Sequence, residues 1–73
     1  MIIERCRRAH LVNAIQGDDQ EAARLLRLFF PKLDPDQTLQ RIQDARNVWQ
    51  DDRYQAEQII ADIIQNDKEN RHG

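Results

Sequence analysis

Cysteine is nearly absent. Cys6 is alone among the 73 residues, so no disulfide can close within the chain. A single cysteine suits a reducing compartment, and the cytoplasm is the expected location. Glycine is scarce too, and neither Gly17 nor Gly73 belongs to a glycine-rich loop that could cradle phosphate. No apolar run is long enough to cross a bilayer. The start, Met1-Ile2-Ile3-Glu4-Arg5, meets charge at once, and so lacks the apolar stretch of a signal peptide. There is no nucleophile elbow and no cluster of metal-spaced ligands. The expectation is therefore a non-enzymatic protein with no cofactor and no metal. Strand-like alternation and internal repeats are missing as well. With no evident tag, the chain reads as an intact natural product of one domain, short enough for its stability margin to be thin.

Charge is plentiful but unevenly spread. Charged residues make up 33% of the chain and the net charge is −2, which gives no general attraction to duplex nucleic acid. Near the start, Arg5, Arg7 and Arg8 stand against Glu4 alone. Between 50 and 66, Asp51, Asp52, Glu57 and Asp62 stand against Arg53. Arginine outnumbers lysine nine to two. Codon composition is the plainer source of that bias, and bidentate contacts with carboxylates are the functional one.

The densest apolar run is Leu25-Leu26-Arg27-Leu28-Phe29-Phe30, followed by Pro31-Lys32-Leu33-Asp34-Pro35. It reads as a helix end, a tight corner and a new helix start. Pro31 removes a backbone donor and restricts Phe30 before it. Asp34 is placed to cap, Pro35 to take the first helical position, and Gln37 to reach back from the third. Upstream, Asp18 with Glu21 resembles a capping box. These signals predict helices over about 19–30 and 35–49, and Asp51-Asp52 start a third over about 52–66. The inward stripes are Ala22, Leu25, Leu26 and Phe29; then Leu39, Ile42, Ala45 or Arg46, and Trp49, with Val48 flanking; then Ala56, Ile59, Ile60, Ile63 and Ile64. Ile3 to Gln16 can also be helical, with Leu11 to Ile15 docked, residues 1–8 frayed, and Gly17 as a left-handed stop. The tail from 67 carries no apolar residue and is expected to be disordered. The expected architecture is all-α: a small three-helix bundle with an additional short or frayed N-terminal helix. By region, residues 1–10 form a basic arm, 11–66 the helical domain and 67–73 the tail.

Candidate sites follow from what this layout leaves over. Cys6 and His10 share a helix face and could act as nucleophile and base, or as two ligands. Neither role is complete, because only His72 could join them, and a partly buried Cys beside a surface His explains the pair. Arg5, Arg7, Arg8 and His10, with Ile3 supplying apolar surface, form a candidate contact arm for a protein partner, against the alternative of a solvated helix end. Leu28 and Phe30 lie off the stripe of their helix and are either covered by another element or free for a partner. Trp49 reads as a core anchor. The aspartate pairs at 18–19 and 51–52 are explained by capping.

Two resemblances carry further expectations. Phe29-Phe30-Pro31, with Ile59-Ile60 in the last helix, resembles the Met-Phe-Pro corner and di-leucine of CUE domains over about 19–64. Here Phe29 stands in place of Met, and the span to Ile59-Ile60 is a few residues longer. That resemblance implies a three-helix ubiquitin-binding module contacting its ligand through Phe29, Phe30, Pro31, Ile59 and Ile60. In size and arginine-rich character the chain is also similar to small phage-encoded transcription regulators that bind host RNA polymerase, block initiation and promote antitermination. That likeness implies a monomeric inhibitor or remodeller of a host complex in the host cytoplasm. It would act through the basic arm without chemistry of its own, and without direct duplex nucleic-acid or membrane binding.

Overall fold

A computed structural model describes the backbone of residues 2–70 and the side chains of residues 6–69. Four helices follow one another: α1 (Ile2–Gln16), α2 (Asp19–Phe29), α3 (Pro35–Val48) and α4 (Arg53–Asn70). The described residues are otherwise turns and bends, with no strand.

Each helix from the second onward begins on an aspartate. Asp18 accepts from the Glu21 amide at 2.9 Å. Asp34 accepts from the Asp36 amide at 2.9 Å and the Gln37 amide at 3.4 Å, with Pro35 in the first turn. Asp52 accepts from the Gln55 amide at 3.1 Å, so it caps α4 while Asp51 does not. Each cap satisfies amides that have no partner inside their own helix, typically worth about 1 kcal/mol. At the other end of α2, Phe30 leaves helical geometry (φ −132°, ψ 54°) while its amide still bonds Leu26 O. Pro31 then begins the turn.

One core joins all four helices. Leu11, Ala14 and Ile15 come from α1, Ala22, Leu26 and Phe30 from α2 and its end, Ile42 and Ala45 from α3, and Ala56, Ile60 and Ile63 from α4. The four buried alanines let the helix backbones approach closely. α1 packs on α2, α3 and α4, whereas α2 and α4 do not meet. The radius of gyration is 11.3 Å, against about 11 Å for a compact chain of this length.

Several expectations are corrected here. α1 is one continuous helix that supplies three core residues, so it is not a loose addition to a bundle of three. Its stripe includes Arg7, so an apolar count alone makes the first turns look undocked. Gly17 does not take a left-handed backbone. Its lack of a side chain serves close approach instead, because a Cβ there would lie 3.2 Å from Asn13 O and 3.4 Å from Glu21 Cβ. The expected tail is helical through Asn70, and Asp67 is only 3% exposed. Residues 71–73 lie outside the described residues. Phe30 is 1% exposed, whereas Phe29, expected inside, is 42% exposed. The helical wheel misassigns the pair because Phe30 is no longer on the helix and its backbone turns the ring inward.

Candidate protein-binding surface

Most of the charged groups in the fold are consumed by the fold. Arg7 reaches Asp67 at 2.6 Å across the α1–α4 contact, with both side chains almost fully buried. The pair occupies the next positions along the two apolar stripes, after Leu11 on α1 and Ile63 on α4. Arg8 donates to Glu57, its Nε lying 3.2 Å from Oε1. That hydrogen bond, and then the charge of Glu57, holds the Arg8 guanidinium above its ordinary value. Arg46 binds three groups at once: Nε donates to Ile15 O at 2.9 Å, one terminal nitrogen to Ala14 O at 3.1 Å, and the other to Asp19 at 2.7 Å. A single side chain of α3 thus caps the carbonyl end of α1 and holds the first turn of α2. Hydrogen bonds from Arg46 and then Gln43 hold the Asp19 carboxyl below the usual carboxylate range. Arg41 pairs with Asp62 at 3.3 Å. Arg53 lies 3.7 Å over the Trp49 ring and donates to Trp49 O.

The proposed basic arm therefore does not stand free. Arg7 is inside the protein, Arg8 is committed to Glu57, and the side chains of Ile3 and Arg5 lie outside the described residues. His10 stacks on Phe29, with ring centroids 3.6 Å apart and planes 8° from parallel, and it ties α1 to the end of α2. Cys6 is exposed one turn before it. No group of three or more potential metal-ligating side chains occurs among the described residues.

Exposure concentrates elsewhere. Leu28 is 65% exposed and sits beside Phe29, so the off-stripe residue Leu28 is on the surface while its expected companion Phe30 is in the core. Leu25 lies half-buried behind them against the core. Among the described residues, Tyr54 is the other exposed large apolar side chain, standing alone at the start of α4. The CUE-type contact set is split: Phe29 and Pro31 are exposed, while Phe30 and Ile60 are core residues.

Arg24 and Arg27 escaped the sequence reading. Both are exposed on α2, and neither holds a carboxylate among the described residues. The available signal was spacing: Arg24, Arg27 and Leu28 fall at i, i+3 and i+4, on one face of a helix. The open groove of about 580 Å³ between the ends of α1 and α3 is lined by Ile15, Gly17, Arg46, Trp49 and Asp51. Its cation, Arg46, is already occupied. No helix among the described residues is long and apolar enough to cross a membrane. Comparison with protein-family models, with curated proteins and with solved structures gives no match.

Proposed function

We propose that this chain is a non-enzymatic binding protein, and that it meets a protein partner through the outer face of α2 and the adjoining edge of α1. One observation carries the reading: Leu28 and Phe29, consecutive at the end of α2, are both exposed, with His10 stacked against Phe29. A protein that commits most of its arginines internally and has few aromatics still leaves Leu28 mostly in water and the His10–Phe29 stack partly exposed. Such a cluster, edged by arginine, has the composition of an interface centre. Its position on a helix docked to the core keeps the ordering cost of binding low.

The likeness in size and character to phage transcription regulators makes bacterial RNA polymerase the first partner to test. In that reading the protein acts by occupancy, blocking or remodelling a host complex, with inhibition of initiation or antitermination as the consequence. The contact residues would be Leu28, Phe29 and His10.

The test is a matched pair of captures from bacterial lysate, with the wild type and Leu28→Asp as bait and RNA polymerase subunits quantified. Wild type should retain a partner that Leu28→Asp loses at least tenfold, both proteins being equally helical. If the same partners are retained by both, the surface assignment is wrong. If a Leu28-dependent partner appears without polymerase subunits, the polymerase reading is wrong.

A further inference from the structure

We infer that the partner segment seated on α2 is an acidic amphipathic helix, recognised by Arg24 and Arg27 beside Leu28. The inference rests on the protein-binding reading above and specifies the chemistry of the partner.

Its basis is a difference among the arginines. Arg7, Arg8, Arg41 and Arg46 each hold a carboxylate of this chain, and Arg53 is stacked on Trp49. Arg24 and Arg27 hold none among the described residues, although Glu21 lies one turn before Arg24 on the same helix. Lys32, just beyond the helix, is exposed and likewise without a carboxylate. The uncommitted cations of the described surface thus lie within residues 24–32, the stretch that also exposes Leu28 and Phe29.

Complementarity follows directly. A partner on this face must bring carboxylates to Arg24 and Arg27, and apolar side chains to Leu28, in one short interface. An amphipathic helix does this, because its apolar residues at i, i+3, i+4 and i+7 can flank the α2 ridge while Asp or Glu on the borders reach the guanidinium groups. α2 has 11 residues, so a matching partner helix needs about three turns, or roughly 16 Å. Arginine suits this task because its planar fork binds a carboxylate bidentately. Nucleic acid fits less well: the cations are few, apolar side chains interrupt them, Glu21 shares the helix, and the whole chain carries net negative charge.

The test selects 16-residue peptides from a random displayed library on the immobilised full chain. The selected peptide is then titrated into the isotope-labelled protein and into Arg24→Glu/Arg27→Glu. Selected sequences should carry Asp or Glu beside apolar residues at helical spacing. Amide shifts should centre on Arg24, Arg27, Leu28 and Phe29. Affinity should fall at least tenfold in the double variant, and also in 0.5 M salt. Arg24→Gln/Arg27→Gln serves the same comparison if charge reversal unfolds the protein, as judged by helical circular dichroism. The inference is overturned if no peptide is selected, if selected peptides lack acidic residues, if shifts map away from α2, or if both double variants bind unchanged. Tighter binding of a single-stranded oligonucleotide than of any peptide, or self-association of the wild type through this face in sedimentation, also overturns it. The two readings fail separately. A lysate partner lost by Leu28→Asp but retained by both arginine double variants leaves protein binding standing and removes the acidic helix. A partner indifferent to all three removes both.

Discussion

The start of α1 and the exposed side of α2 both carry clustered arginine beside apolar residues, yet they end in opposite environments. On α1, Arg7 is buried against Asp67 and Arg8 is tied to Glu57, so that cluster cements α1 to α4. On α2, Arg24 and Arg27 have no such carboxylate among the described residues, and they border the exposed Leu28. The difference lies in what faces each helix, since α1 packs on α4 and pairs with its carboxylates, whereas α2 packs on α1 and α3. An arginine cluster therefore reports a binding surface only after the carboxylates of neighbouring helices have been counted.

The sharpest way to break this contrast is to strand Arg7. Asp67→Ala should destabilise the protein by about 3–5 kcal/mol, because it leaves a buried guanidinium without its counter-charge. That is a large share of the roughly 4–11 kcal/mol expected for 73 residues. Arg7→Leu with Asp67→Leu should recover most of the loss, as apolar side chains continue the two stripes. Urea denaturation of the two variants beside wild type decides the matter; a single variant as stable as wild type would mean that the end of α4 is not docked.

Arg46→Ala should cost less, about 2 kcal/mol, through loss of charged hydrogen bonds to the carbonyls of Ile15 and Ala14 at a partly exposed site. Amide exchange should then rise first at the α1–α2 junction, not at the α1–α4 contact. Uniform loss of protection would argue that Arg46 is not a local clamp.

The same clamp has a pH signature. Asp19 titrates below its unfolded value, so its contribution is present above the ordinary carboxylate range near pH 4 and is lost as pH falls through the lower folded value. Asp19→Asn should flatten this part of the acid limb of stability, read by urea midpoints between about pH 5 and 2. An unchanged limb would place the acid sensitivity elsewhere.

Smallest of all, Leu28→Asp should leave stability within about 0.5 kcal/mol, since the side chain is mostly in water. A larger loss would show that Leu28 supports the fold and would weaken its use as a surface probe.

Local chemistry was legible from sequence because it acts over three or four residues. The caps at Asp18, Asp34 and Asp52, the stop at Pro31 and the stripe of Ala56, Ile60 and Ile63 are read from spacing and confirmed by hydrogen bonds and burial. The candidate surface was only partly legible. Leu28 stood out because it lies off the stripe of its helix; Phe30, left open with it, turns inward just past the helix end, whereas Phe29, placed on the stripe, is partly exposed. Arg7 looked like surface, and Asp67 like disordered tail, because each was judged by its own neighbourhood. Together they are a buried pair contributed by opposite ends of the chain.

The sequence by itself determined that the chain is helical, where its interior turns fall and which apolar residues can share a core. These depend on backbone donors, proline and the helical repeat, all short-range. Only the tertiary structure decided that α1 belongs to that core, that Arg7 is buried against Asp67 while Arg8 pairs with Glu57, and that Arg24 and Arg27 hold no carboxylate among the described residues. Those outcomes depend on which carboxylate lies across a helix contact, and no spacing within a single helix encodes it.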